Sequence, residues 1–100
     1  MRYYSYLVRP VKANFDTNYT DEDVRIVGEH FRYLVGLHEK GIVQFAGRCD
    51  DTTFGIVILR ADNRAEAEKL FANDPAIVQG VMSGSLHEFR IALCGNFPSE

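Results

Sequence analysis

The chain contains few residues that break or cross-link a fold: its 100 residues include three Pro, eight Gly and two Cys, and no Trp. So little Pro and Gly argues against a disordered or low-complexity chain. Cys49 and Cys94 are far apart and have no CxxC or histidine-rich spacing, so the sequence indicates neither a zinc site nor a disulfide framework. We expect a reducing compartment and no bound metal.

Long apolar runs and an excess of basic charge are also missing. No segment approaches the ~18 consecutive apolar residues of a membrane span, and the first ten residues, MRYYSYLVRP, contain no apolar signal core. Eleven basic and fourteen acidic residues give a formal net charge of -3, which lacks the electrostatic footprint of nucleic-acid binding. We therefore expect a cytoplasmic protein with no membrane or nucleic-acid partner.

The composition is otherwise that of a globular protein, with 46% hydrophobic and 25% charged residues. A chain of this length forms one small domain, which buries only ~60–65% of the surface that the unfolded chain exposes. We predict a single domain over residues 1–100, with its core over 3–93 and a loose tail over 94–100. Five Tyr and seven Phe, several on predicted strands, indicate a sheet face that is covered.

The first half of the chain predicts a strand and then a long helix. Tyr3–Arg9 is rich in aromatic and β-branched residues, which favours a strand. After a loop of roughly ten residues, Thr20 is a good N-cap and Asp23 stands at the capping-box position. The helix should end near Lys40, before Gly41 in the left-handed conformation.

The second half predicts three strands and a second helix. The strands are expected at Ile42–Arg48, Phe54–Arg60 and Ser85–Leu93, of which the second is nearly all apolar and suits a central strand. Asn63 and Glu66 form a capping box for the second helix. That helix must end before Asp74, which precedes Pro75. Asp74 and Pro75 can then cap a short extra turn that Gly80 closes.

The element order, βαββαβ, is that of the ferredoxin-like α+β fold, a four-stranded antiparallel sheet with both helices on one face. The other face would carry Tyr and Phe with nothing in the chain to cover it, and monomers rarely expose that much apolar area. We therefore predict a homodimer whose sheets meet face to face. RNA-recognition motifs share this topology, but Ile56 and Leu59 stand where their stacking aromatic residues are required.

The long helix has an unusually wide apolar side. At 100° per residue, one side is mainly charged and holds Arg25, Glu29, Arg32, Gly36 and Glu39. The opposite side has one flank of Val24, Val27, Phe31, Leu34, Val35 and His38, and another of Ile26, His30, Tyr33 and Leu37. His30 lies near the middle of this arc, so we expect the helix to contact both its own sheet and a second surface.

The segment GEHFRYLVGLHEKGIVQFAG, paired with the later AEAEKLFANDPAIVQG, resembles the YCII-related family over roughly residues 3 to 93. The resemblance implies a dimeric α+β barrel similar in architecture to muconolactone isomerases and dehydrochlorinases. It also implies a His-Asp dyad, and the family's histidine and aspartate match His30 and Asp74. The family commonly has Pro after Ala-Gly, where this chain has Arg48, so a relative's substrate does not carry over directly.

A His-Asp dyad would make a general base without a metal or cofactor. The carboxylate fixes the imidazole tautomer and stabilises the imidazolium that forms after proton transfer. We therefore predict a cofactor-independent enzyme of the lyase or isomerase type, with His30 and Asp74 as catalytic residues. Tyr33, Arg9 and Arg48 are candidate contacts to a small anionic or aromatic substrate.

Structural interpretations stand beside each of these assignments. His30 can be a core histidine, and Asp74 can be only the N-cap of the short turn. His38 suits a favourable charge at a helix C-terminus, and His87 suits an ordinary sheet position. Two other function classes therefore stay open: a homodimer that binds or senses a small ligand without turnover, and a structural module with a vestigial pocket.

Overall fold

The computed structural model describes residues 2–95, apart from the side chain of Asp16. The elements are β1 (Arg2–Pro10), α1 (Phe15–Asn18), α2 (Asp21–Glu39), β2 (Val43–Arg48), β3 (Gly55–Ala61), α3 (Arg64–Ala72), α4 (Pro75–Val78) and β4 (Met82–Phe89). The predicted ferredoxin-like α+β fold is confirmed. The short turn predicted after Asp74 is the four-residue helix α4, and the four-residue helix α1 lies in the predicted loop. The predicted tail falls mainly on residues 96–100, which lie outside the described part.

The four strands form one antiparallel sheet in the order β2-β3-β1-β4. Tyr6 on the central strand β1 lies opposite Val57 of β3 and Leu86 of β4. These three side chains are buried in a core that also includes Leu34 of α2 and Ala67 of α3. The long helices therefore cover the same face of the sheet, which the residues of β1 with even numbers line.

The last strand differs from the prediction of Ser85–Leu93, because it begins at Met82 and ends at Phe89. Its length follows that of β1, with which it pairs from Pro10 opposite Met82 to Tyr3 opposite Phe89. Gly84 lies inside this strand. A Cβ atom at Gly84 would collide with the carbonyl oxygen of Leu7, so this glycine permits close approach of two strands.

Helix α2 begins and ends as the sequence predicts. Thr20 and Asp23 form both hydrogen bonds of the capping box, and Gly41 follows the helix with a positive φ of 78°. The apolar side is not evenly buried, however: Phe31 is 65% exposed and Val24 and Val35 are also exposed, whereas Leu34 on the same flank is buried. That α2 also contacts a second surface stays a prediction. None of the described helices is both long and apolar enough to cross a membrane.

Candidate active site

Asp74 is a fully buried carboxylate at the junction between α3 and α4. Its Oδ1 atom accepts a hydrogen bond of 2.9 Å from the backbone N–H of Ala76, so the residue is the N-cap of α4. Pro75 occupies the first turn of that helix and prevents α3 from continuing through the junction. A buried charge needs further partners, and the surrounding elements supply two more.

His30 is the first of these partners and comes from the middle of α2. Its Nδ1 atom lies 2.7 Å from both carboxylate oxygens of Asp74, across 44 residues of sequence. The imidazole is nearly buried, with 12% of its side chain exposed. The two residues that the sequence singled out are therefore in direct contact, and Asp74 caps α4 as well as binding His30.

The contact determines where the hydrogen of a neutral His30 ring resides. An ionised carboxylate can only accept hydrogen bonds, so Nδ1 of His30 must carry the hydrogen. Nε2 is then left with a free lone pair, which is the form that a general base needs. The carboxylate can also stabilise the positive ring that forms when Nε2 takes a proton.

Tyr6 is the second partner of Asp74, and sequence reasoning missed it. Its hydroxyl donates a hydrogen bond of 2.9 Å to Oδ2 of Asp74, and both side chains are buried. Burial, and then the neighbouring carboxylate, raises the pKa of Tyr6 well above its usual value, so the hydroxyl stays protonated. Strand alternation places Tyr6 on the inner face, but it does not reveal which acceptor the hydroxyl meets.

The model of the YCII-related domain matches residues 3–89, which is most of the chain. The chain belongs to the YCII-related family. No curated protein sequence matches it significantly.

One solved structure similar to this YCII-related domain is a 5-chloro-2-hydroxyhydroquinone dehydrochlorinase from Burkholderia phenoliruptrix AC1100, in complex with 2,5-dihydroxybenzoquinone. The two chains share 18% sequence identity, with a TM-score of 0.64 over 87% of this chain and 93% of the other. At this identity the likeness shows a common fold.

Tyr33 lies about one turn after His30 on α2, but its hydroxyl is already engaged. It donates a hydrogen bond of 2.8 Å to the carbonyl oxygen of Leu70 in α3. Burial and the nearby charge of Asp74 raise the pKa of Tyr33 above its usual value. This side chain therefore ties α2 to α3 beside the dyad.

The structure does not bring the two candidate arginines of the YCII-related domain into contact with the dyad. Arg9 is exposed and alternates with the buried Val8, which places it on the sheet face opposite the helices. Arg48 is exposed at the end of β2, opposite Gly55. A Cβ atom built at Gly55 would contact both Val8 and the Cβ atom of Arg48. Because Val8 lies on the helix-covered face, the side chain of Arg48 leaves its strand on that face too.

A cavity of about 300 Å³ opens next to the elements that carry the dyad. Its wall includes Lys12 from the segment after β1, Ile26 from α2 and Gly80 from the turn after α4. Ile26 lies one turn before His30, on the same flank of α2.

Within residues 2–95 no group of three or more His, Cys, Asp or Glu side chains could hold a metal ion.

The other two histidines provide an internal comparison. Nδ1 of His38 lies 3.1 Å from the carbonyl oxygen of Val43, near the end of α2. Nε2 of His87 lies 2.9 Å from the hydroxyl of Ser85 on β4. Both rings belong to exposed residues and neither pairs with a carboxylate in the described structure. Among the three, the arrangement suited to base chemistry belongs to His30.

Proposed function

We propose that this YCII-related domain is a cofactor-independent enzyme of the lyase or isomerase type, in which His30 is the general base and Asp74 orients it. The observation that carries the proposal is the contact of 2.7 Å between Nδ1 of His30 and the buried carboxylate of Asp74. A buried, oriented imidazole with Nε2 unprotonated can remove a proton near neutral pH.

The proposed step uses only this pair. Nε2 of His30 takes a proton from an activated C–H or O–H bond of the substrate, and the electron pair of that bond forms a new π bond. In the elimination of chloride from a hydroxylated ring, the imidazolium first returns a hydroxyl proton to the carbon that bears chlorine. Removal of a second hydroxyl proton then forms a quinone C=O bond, and chloride departs with the electron pair of the C–Cl bond. In an isomerisation, the imidazolium returns the proton to a different carbon. The carboxylate of Asp74 stabilises the imidazolium in both cases.

We propose a small hydroxylated aromatic or quinone-like molecule as substrate. The similar solved structure supports this class, because its name describes a chlorinated hydroxyhydroquinone as substrate and it holds a dihydroxybenzoquinone. Arg48 is our candidate for an anionic group of the substrate, since it starts from the helix-covered face. Arg9 would reach a ligand only from the opposite face, across an interface with a second copy.

The test compares two histidine variants on the same helix. His30→Asn keeps an amide donor near the position of Nδ1 but removes Nε2, and His38→Asn makes the same change at the exposed end of α2. With 5-chloro-2-hydroxyhydroquinone as substrate, we expect chloride release by the wild type and by His38→Asn. We expect a loss of at least about 100-fold in His30→Asn, the usual contribution of a general base.

Equal rates in all three proteins would contradict the assignment of His30. Saturable binding of the compound by the wild type, without chloride or any other product, would favour the alternative of a ligand-binding module. Exchange of substrate C–H bonds in D₂O, followed by proton NMR, extends the same comparison to isomerisation.

We also propose that the domain is a homodimer whose sheets pack face to face. The face opposite the helices carries Tyr3 and Leu7 of β1, Ile56 of β3, and Phe89 of β4, which is 41% exposed. A second copy would remove this apolar surface from water. Sedimentation velocity over a dilution series should show a dimer at micromolar concentration, and a monomer at every concentration would refute the proposal.

A further inference from the structure

The carboxylate of Asp74 is shared among three donors. The backbone N–H of Ala76 donates to Oδ1, the hydroxyl of Tyr6 donates to Oδ2, and Nδ1 of His30 lies 2.7 Å from both oxygens. Each donor draws on the same negative charge, so the strength of one bond affects the others. The donor from Ala76 is a backbone N–H. Tyr6 is therefore the side chain whose hydrogen bond can alter the electrostatic attraction between Asp74 and His30.

Tyr6 is held firmly in position. It is fully buried on the central strand β1, between Val57 of β3 and Leu86 of β4. Its ring packs edge-on against Phe71 of α3, with ring centroids 5.0 Å apart. The hydroxyl therefore approaches Oδ2 from a rigid strand, whereas His30 approaches from a helix and Ala76 from a short turn.

We infer that Tyr6 is a positioning residue for the His30–Asp74 pair: its hydroxyl fixes Oδ2 and takes up part of the carboxylate charge that would otherwise act on His30. The inference rests on the proposed function, because it concerns the same pair. Tyr6 acts through Asp74 and does not need to touch a substrate.

The direction of the effect follows from electrostatics. The hydroxyl of Tyr6 presents its positive end to Asp74, and this partly offsets the attraction between the carboxylate and a protonated His30 ring. Removing the hydroxyl strengthens that attraction, so His30 should take up its proton at higher pH. A further titratable group beside the pair is Tyr33 on α2, whose hydroxyl donates to the carbonyl oxygen of Leu70 in α3.

Tyr4 provides a matched control. It lies two residues before Tyr6 on the same strand and the same face, and it is also fully buried. Its hydroxyl has no hydrogen-bond partner within the described residues. Tyr4→Phe and Tyr6→Phe therefore delete the same atom from similar surroundings, and only the second deletion removes a donor from Asp74.

The experiment is an NMR titration of the His30 ring in the wild type, Tyr6→Phe, Tyr4→Phe and Asp74→Asn. We expect the midpoint of the His30 titration in Tyr6→Phe to rise by about half to one pH unit. This shift corresponds to part of the free energy of one hydrogen bond to a charged group. Tyr4→Phe should stay within about 0.2 pH unit of the wild type, since its hydroxyl acts on neither partner. In an active preparation, the acid limb of the rate profile should move with the midpoint.

A midpoint in Tyr6→Phe that matches Tyr4→Phe, while Asp74→Asn still shifts it, would overturn the role of Tyr6 and leave the dyad intact. A midpoint that ignores Asp74→Asn as well would instead refute the proposed function. If Tyr6→Phe does not fold, 3-fluorotyrosine incorporated at position 6 gives a second test. Its more acidic hydroxyl donates more strongly, so the midpoint must fall, and an unchanged midpoint would contradict the inference.

Discussion

Replacing Asp74 by Asn should reverse the tautomer of His30. The variant keeps the shape of the side chain but exchanges one acceptor oxygen for an amino group that can only donate. The remaining oxygen is needed by the N–H of Ala76, which it caps at 2.9 Å. The amino group then faces Tyr6 and His30, so Nδ1 of His30 must become an acceptor and the ring hydrogen must move to Nε2.

The structure sets the size of the two effects. The cap of α4 and the volume of the buried side chain are retained, while the two bonds to Tyr6 and His30 lose their charge, at about 1 kcal/mol each. A domain with a net stability of about 5–10 kcal/mol tolerates this loss and stays folded. The effect on activity should be larger, because Nε2 no longer has a lone pair. In the Ser-His-Asp triad the equivalent change lowers turnover about 10⁴-fold.

The assay is long-range ¹H–¹⁵N NMR of the His30 ring, which distinguishes the two tautomers without any knowledge of the substrate. We expect the hydrogen on Nδ1 in the wild type and on Nε2 in Asp74→Asn. Asp62→Asn, at an exposed position after β3, is the control and should leave the ring unchanged. A ring in Asp74→Asn that keeps its hydrogen on Nδ1 would refute the reasoning, and urea unfolding of each variant checks the predicted loss of stability.

Two further predictions concern stability. The hydrogen bond of 2.8 Å from the ammonium of Lys12 lowers the pKa of Asp23 below its usual value. A carboxyl with a depressed folded-state pKa stabilises the fold above its unfolded pKa, and this contribution is lost as the pH falls through the folded value. Urea midpoints should therefore fall on acidification below about pH 4, and fall less in Asp23→Asn; equal slopes would contradict the assignment. On α2, Leu34→Ala should cost about 2–5 kcal/mol, whereas the exposed Phe31→Ser should stay within about 0.5 kcal/mol in the monomer. Denaturation of both variants separates the buried from the exposed apolar positions of α2, and a large loss in Phe31→Ser would indicate that Phe31 is covered.

Local sequence signals were sufficient for much of the fold. The capping box at Thr20 and the Asp-Pro junction at Asp74 act through neighbouring backbone atoms, so their effects can be predicted from spacing alone. The length of β4 could not be predicted in this way. It depends on pairing with β1, which is more than 70 residues earlier in the sequence. At Gly84 the backbone of Leu7 approaches too closely for a side chain, and this contact cannot be predicted from the neighbouring residues.

The residues of the candidate site also fall into those that the sequence could predict and those that it could not. The resemblance to the YCII-related family picked out His30 and Asp74, whose contact required the packing of α2 against the junction before α4. Tyr6 carried no motif, because an aromatic residue on an inner strand position is ordinarily a packing residue. Its role becomes visible only when three elements bring a hydroxyl, an imidazole and a backbone N–H to one carboxylate.

The most direct test of the central claim is the pH titration of His30 by NMR in the wild type and in Asp74→Asn. If the pair forms a solvent-reachable base, the ring titrates, and its midpoint falls by about one to two pH units when the opposite charge is removed. A ring that does not titrate, or that titrates identically in both proteins, would make His30 a packing residue and contradict the proposed function.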